Sequence, residues 1–491
     1  MARKTIEKHP LEKRAKDIEM MVSYWDKTNA IVEGLDAIKR DPEQFLPKFP
    51  KETDNDYTYR VKLSKLTNVY RDVLEGLATK PFEQPVSLIG DDIPEMMEEF
   101  IKDVDGSGNN ITMFCASSFF NGINNGIEWI LVDYPRVINR NVTIAEAKKQ
   151  NIRPFWSRIA AHNVLEVRTK MIGSKELITY FRVFEPSMEY EVEDRVRVYE
   201  RVQIDAGQPI VQWTLYERNP KATKPEDQFI QIDTDIMSID VIPIVAFWTG
   251  RRDGKSFKFY PVMQDAVDLQ VTLFQNESAL EYIKTLAGYP MLAANGIKPE
   301  RDDTGNVKPV SIGPGRVLYG PTDGQGNNGE WKFIEPNANS MEFLQKNIDK
   351  TKQDLRELGR QPLTALSTQL TTVTTSIAAG KARSAVSAWA LGLQDAIENC
   401  ILLTAMWMNI EYDPEVNVYT GFDNVANDNS DLEELGKARE RGDLSQETYW
   451  EEMKRRKVLS PEFKAESERE RLLNEIPVNE PDSPVIDENQ I

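Results

Sequence analysis

The chain has 491 residues, 40% of them hydrophobic and 28% charged, with a formal net charge of −19. This apolar content excludes a disordered chain and allows two to four domains with cores of their own. So acidic a surface does not suit a protein that grips nucleic acid, because grip comes from Lys and Arg neutralising phosphates. It suits solubility at high concentration, or a surface that DNA passes without sticking.

No apolar run approaches the roughly 18–20 residues that a membrane-spanning helix needs. The N-terminus, MARKTIEKHPLEKRAK, is basic with no apolar stretch behind it. It does not read as a secretory signal, so a cytoplasmic protein, or an assembly made there, is expected. The two cysteines, Cys115 in ITMFCASSFF and Cys400 in AIENCILLTAM, rule out a disulfide framework and a thiol-only zinc site. Both read as small buried hydrophobes. The two histidines, His9 and His162, offer little for acid–base chemistry, and neither is expected to be catalytic.

In chain order, residues 1–50 read as mixed helix with a polar end, Trp25 lying on an apolar helical face. Residues 57–80 carry Val61, Leu66, Val69, Val73, Leu74 and Leu77 at helical spacing, and Pro81 stops the pattern. A short acidic helix is expected over 91–104. ITMFCASSFFNGINNG reads as a buried helix ending near Gly122, and GIEWILVDYP as a buried strand.

The character changes over 160–250. LITYFRVF (177–184), RVRVYERVQI (195–204), VQWTLYER (211–218) and IPIVAFW (242–248) are strand-like. In the second of these, Val196, Val198, Val202 and Ile204 share one face, with Arg195, Arg197, Arg201 and Gln203 on the other. That alternation fits a half-buried antiparallel sheet whose basic face is solvated.

Helical periodicity returns at Pro261, with Val262, Ala266, Leu269, Leu273, Leu280 and Ile283 near one face and Gly288 just beyond the end. Such a helix is about 39 Å long. Residues 289–337 form a Gly- and Pro-rich insert with strand candidates GRVLYG and WKFIEP. SMEFLQKNIDKTKQDLRELG follows as a second helix, with Met341, Leu344, Ile348, Leu355 and Leu358 on one side and Lys346, Lys350, Lys352 and Arg356 elsewhere.

QPLTALSTQLTTVTTS (361–376) is rich in Ser and Thr, mediocre helix formers in its β-branched members, and reads as a loop. The longest helix follows over roughly 377–410. Val386, Trp389, Leu393, Ile397, Cys400, Ile401, Thr404 and Met408 step by three and four along it, and its length is about 50 Å. Residues 431–460 read as two packed helices, Gly442 ending the first and Ser445 capping the second. The acidic tail from 476 is expected to be disordered.

Catalytic signatures are missing. There is no G-x-x-x-x-G-K-[ST], no G-x-G-x-x-G opening a helix after a strand, no H-E-x-x-H and no G-x-S-x-G. SIGPGRVLYG reads as a turn, and DDTGN and TDGQGNNGE as hairpin tips without EF-hand spacing. No catalytic residue, cofactor or metal is therefore expected.

Several phrases, in this order, resemble the portal proteins of tailed bacteriophages: YRVKLSKLTNVYRDVLEGLATKPF, NNGIEWILVDYP, RPFWSRIAAHNVL, AGYPMLAANGI, ELGRQPL with the Ser/Thr stretch after it, and RGDLSQETYWEEMKRRKVLS. Together they cover about 60–460. The resemblance implies an α+β portal fold, with long stem and wing helices, a β-rich wing region, a small α/β clip and a helical crown. Its parts would be an N-terminal segment (1–56), wing (57–260), first stem helix (261–288), clip (289–338), second stem helix (339–360), tunnel loop (361–376), long wing helix and following segment (377–424), crown (425–475) and tail (476–491). It further implies a homo-oligomeric ring, usually a dodecamer, at one capsid vertex of the virion, assembled in the host cytoplasm. Double-stranded DNA would pass through the ring during packaging and ejection. The terminase large subunit, and afterwards a head–tail adaptor, would dock on the clip, and the major capsid and scaffolding proteins would surround the wing. No membrane is involved. Thr364, Ser367, Thr368, Thr371, Thr372, Thr374 and Thr375 in the loop, and Lys346 and Lys350 on the second stem helix, would face the DNA. The other readings are another structural head or adaptor protein and a metal-dependent nuclease.

Overall fold

The structure, a computed structural model, describes residues 9–90, 92–136, 149–187, 193–203, 209–222, 224–287, 291–295, 297, 301, 304–307, 329–334, 338–358, 372–420, 430–455, 458–459, 463 and 465–475. The chain divides into two compact units, Met1–Phe422 and Asp423–Ile491.

The first unit opens with helices α1 (Lys16–Glu33), α2 (Leu35–Arg40), α3 (Pro42–Phe45), α4 (Asp54–Leu63) and α5 (Val69–Ala78), strand β1 (Ser87–Ile89), and helices α6 (Glu95–Phe100) and α7 (Ile111–Asn125). A β-rich stretch holds β2 (Ile127–Asp133), β3 (Phe155–Ile159), β4 (Val164–Ile172), β5 (Lys175–Glu185), β6 (Arg195–Gln203), β7 (Pro209–Arg218), β8 (Phe229–Ile236), β9 (Ile244–Trp248), β10 (Arg251–Arg252) and β11 (Phe259–Tyr260). Then come α8 (Gln264–Ala287), β12 (Met291–Asn295), β13 (Glu330–Ile334), α9 (Ala338–Leu358), α10 (Thr372–Met408) and β14 (Glu415–Asn417). The second unit contains α11 (Ser430–Glu440), α12 (Gln446–Arg455) and α13 (Ala465–Glu475).

Strand β2 sits at the centre of a three-stranded antiparallel sheet ordered β3-β2-β9. Side chains alternate across a strand, so β2 feeds two cores. Ile130 and Val132 join a helical core with α5, α7, α8, α9 and α10, while Ile127 and Trp129 join a second core with α1 and the larger sheet. That larger sheet is antiparallel, ordered β4-β5-β6-β7-β8.

The buried end of α7 shows how the layers lock. A helix C-terminus leaves carbonyls without partners, which is costly away from water. Here Thr249 Oγ1 donates to Gly122 O at 2.6 Å, Tyr24 Oη to Asn124 O at 3.0 Å, and Trp25 Nε1 to Asn125 O at 2.9 Å. Gly126 ends the helix with φ 80°, and an added Cβ would lie 2.3 Å from the Phe259 ring, so only glycine fits. The helix thus runs past Gly122, which sits inside it because Phe247 packs where a Cβ would be.

The helix expected over 57–80 is two helices. Ser64 leaves α4 with ψ 144°, its hydroxyl donating to Val61 O at 2.7 Å, and Asn68 caps α5 by accepting from Arg71 N at 2.9 Å. The acidic helix expected over 91–104 is shorter, Glu95–Phe100.

The basic face of β6 is not a solvated outer face. It points toward the second core, where Tyr199 is fully buried, and each arginine meets an acid. Arg195 pairs with Glu217 at 2.8 Å, Arg197 with Glu185 at 2.6 Å, and Arg201 donates to Asp240 O at 2.7 Å. Arg197 also lies over the Trp213 ring. Val196 and Val198, on the other face, pack with Leu165 and Phe229 under Leu11 of the N-terminal strap. Strands β3, β4 and β8 were not anticipated. Cys115 and Cys400 are both fully buried and free, and burial raises each above the ordinary thiol range.

In the second unit, Gly442 follows α11 with φ 84°, and Ser445 Oγ accepts from Thr448 N at 3.2 Å at the start of α12, as read from sequence. Trp450 packs edge-on against Phe463.

Candidate functional site

The elements expected to carry function are α8, α9 and α10. Strands β12 and β13 pair antiparallel, Met291 opposite Ile334 and Asn295 opposite Glu330. The insert therefore leaves α8 and returns to α9 at one place, and the two helices run antiparallel. Ala266, Leu273, Phe274 and Leu280 of α8, with Ile348 and Leu355 of α9, bury their contact face in the helical core.

The buried face of α8 also carries Gln270, fully buried, and Glu277, 5% exposed. Both grip the segment between α4 and α5. Glu277 Oε2 accepts from Thr67 N at 2.8 Å, Gln270 Nε2 donates to Thr67 O at 3.0 Å, and Gln270 Oε1 accepts from Tyr70 N at 2.9 Å. The amides at the start of α5 are among the donors a helix leaves unpaired, so α8 supplies the missing acceptors. On its other side Glu277 Oε1 meets Lys352 Nζ of α9 at 2.8 Å. Gln275 Nε2 adds a bond to Phe45 O at 2.8 Å. These residues escaped the sequence reading. The available signal was a polar pair seven residues apart on a face otherwise made of Leu273 and Leu280.

Helix α10 has 37 residues, a length of about 55 Å. Val386, Leu393, Ile397, Cys400, Ile401 and Thr404 are all fully buried, as the three-and-four spacing requires. Thr404 Oγ1 accepts from Trp156 Nε1 at 2.9 Å, and Trp407 Nε1 donates to Val132 O at 2.9 Å, fixing the helix against β3 and β2.

Lys346 and Lys350 lie on the exposed side of α9, one turn apart, beside Phe343, which is 69% exposed. Among the described residues neither lysine has a carboxylate within ion-pairing distance. Thr364, Ser367, Thr368 and Thr371 fall outside the described residues. Helix α10 begins at Thr372, so Thr372, Thr374 and Thr375 belong to it and not to a loop ending at 376. Residues 1–8 and the tail from 476 also lie outside the described residues.

Among the described residues no group of three or more His, Cys, Asp or Glu is placed to hold a metal, and no helix is long and apolar enough to cross a membrane. His162 Nδ1 lies 3.2 Å from Asp26 Oδ1, with burial lowering its pKa. The most perturbed acid within about the physiological range is Glu128 on β2. Burial pushes its carboxyl up to about 8, against the opposing effects of Asn121 and Arg158. Its Oε1 accepts from Asn121 Nδ2 at 3.2 Å, and its Oε2 meets no donor among the described residues. Glu128 is 1% exposed. An open groove of about 680 Å³ is lined by Met237, Ser238, Ile239, Asp240, Met406 and Ile410.

Residues 262–408 match the family described as "Domain of unknown function (DUF4055)". The match begins beside α8 and ends with the last residue of α10. No curated protein matches the chain. Among solved structures, the chain is similar to one in "Neck of native GTA particle computed with C12 symmetry", with 12% identity over 83% of this chain and 90% of that one, TM-score 0.38. It is similar also to one in "Neck of empty GTA particle computed with C6 symmetry", with 10% identity over 84% and 91%, TM-score 0.39.

Proposed function

We propose that this chain is the portal subunit of a tailed bacteriophage, assembling into a homo-oligomeric ring that conducts double-stranded DNA at one capsid vertex. The observation that carries this reading is the order and packing of α8, the β12–β13 insert, α9 and α10. An antiparallel helix pair is closed at one end by paired strands and followed by a 37-residue helix whose stretch from Val386 to Ala405 packs in the core. In this reading α8 and α9 are the stem, the insert is the clip where terminase and then an adaptor dock, α10 is the long wing helix, and α11–α13 belong to the crown. The role is structural, not enzymatic.

The charges fit a conduit. Sliding DNA must not be held by many phosphate contacts, and the exposed face of α9 mixes Lys346, Lys350 and Arg356 with Glu342, Asp349 and Glu357. Lys346 and Lys350 steer the strand without trapping it. Sedimentation of the purified full chain tests assembly. A single species of many subunits, each 56.2 kDa, is expected, and a monomer at all concentrations and salt conditions contradicts the reading.

A further inference from the structure

A continuous, largely buried polar path leads from α9 to α1. Lys352 Nζ meets Glu277 Oε1 at 2.8 Å, and Glu277 Oε2 accepts from Thr67 N at 2.8 Å. Thr67 O accepts from Gln270 Nε2 at 3.0 Å, and Gln270 Oε1 accepts from Tyr70 N at 2.9 Å. Tyr70 Oη donates to Asn124 Oδ1 at 2.9 Å, and Asn124 Nδ2 donates to Asn29 Oδ1 of α1 at 3.1 Å. Tyr24 Oη of α1 reaches the same residue through Asn124 O at 3.0 Å. Along the path Gln270 and Tyr70 are fully buried, Asn124 is 2% exposed and Glu277 5% exposed, while Thr67 is half-buried.

We propose that this path couples the position of α9 to that of α1, with Glu277 and Tyr70 as its positioning residues. Three features support it. Buried polar groups are costly when left unpaired, so a shift at one member forces a partner to follow or lose its bond. The amides of Thr67 and Tyr70 stand at or before the first turn of α5, where no helical carbonyl serves them; their acceptors are the side chains of α8. Lys352 lies two residues from Lys350 on α9, so whatever engages the exposed face of that helix acts close to the head of the path. The inference stands on these bonds and does not depend on ring formation.

The test is hydrogen exchange on the full-length protein, followed in the segments containing Thr67 and Tyr70, in residues 25–33 of α1, and in β2 as a reference. Lys352→Met leaves the Glu277 carboxylate without its cation. Exchange is expected to accelerate about tenfold more at both 64–71 and 25–33 than in β2, and Lys352→Arg is expected to restore it. Tyr70→Phe removes a single hydroxyl and keeps the ring. By itself it is expected to accelerate 25–33 while leaving Thr67 protected, and in its background Lys352→Met is expected to add nothing at α1. An even rise that includes β2, an unchanged α1 in both variants, or an undiminished Lys352→Met effect at α1 in the Tyr70→Phe background would each overturn the coupling. Should Lys352→Met not fold, the Tyr70→Phe result alone decides, because an unchanged α1 there breaks the path at its centre.

Discussion

The inner face of the five-stranded sheet and helix α9 are both rich in basic residues, and the two dispose of them differently. On the sheet Arg195, Arg197 and Arg201 each turn to an acidic residue of the same chain. On α9 only Lys352 turns inward, to Glu277, while Lys346 and Lys350 remain exposed. A cation already matched by a carboxylate has little left for a phosphate, so the sheet's arginines are structural. What α9 leaves exposed is available to a partner outside the chain. In an acidic protein this difference separates charges that hold the fold from charges left exposed.

The largest effect is expected where a buried pair is broken. Lys352→Met should cost about 2–3 kcal/mol in denaturant unfolding, because the largely buried Glu277 carboxylate loses its cation. A loss under 1 kcal/mol would mean that the pair is no more than a surface contact.

Glu128 should give a smaller effect of opposite sign. Its folded-state carboxyl is raised from 4.5 to about 8, so the native protein keeps a proton that the unfolded chain releases. The resulting stabilisation is complete below pH 4.5, declines as pH rises, and is lost above about pH 8. Glu128→Gln should therefore stabilise the protein at pH 7 by about 2 kcal/mol and flatten the pH dependence of its unfolding between those limits. An unchanged slope would show that Glu128 is not the titrating group.

Next comes the sheet. Arg197→Met should cost about 1–2 kcal/mol through the loss of its charged hydrogen bonds to Glu185, and should leave DNA binding by the assembled protein unaltered. Reduced DNA binding would restore the nucleic-acid role that the ion pairs deny this face.

The smallest change in stability, within about 0.5 kcal/mol, is expected for Lys346→Ser with Lys350→Ser, since both side chains are exposed. Their effect should appear elsewhere, as a weaker salt dependence of DNA retention by the assembled protein. An unaltered salt dependence would contradict the proposal that these lysines face DNA.

The parts legible in the sequence were those set by local periodicity. The buried stripe of α10, from Val386 to Thr404, and the alternation of β6 follow from spacing alone. What distant partners decide was not legible. The break between α4 and α5 is bound by Gln270 and Glu277, some two hundred residues away, and no local signal at Thr67 announces them. The basic face of β6 looked solvated because Glu185, Glu217 and Asp240 come from other segments. Gly122 looked like a helix end, yet the ring of Phe247 needs its missing side chain inside α7. Helix α10 starts at Thr372, against the modest helix propensity of threonine. For the candidate site, Lys346 and Lys350 were legible as an exposed pair, whereas the inward role of Lys352 required the partner helix.

The most direct measurement is electron microscopy of the purified full-length protein, with class averages of single particles. Closed rings with a central channel wide enough for a DNA duplex, and with α9 facing that channel at higher resolution, are the expected result. Monomers, open filaments, or rings in which Lys346 and Lys350 point away from the channel would contradict the proposal that this chain forms a DNA conduit.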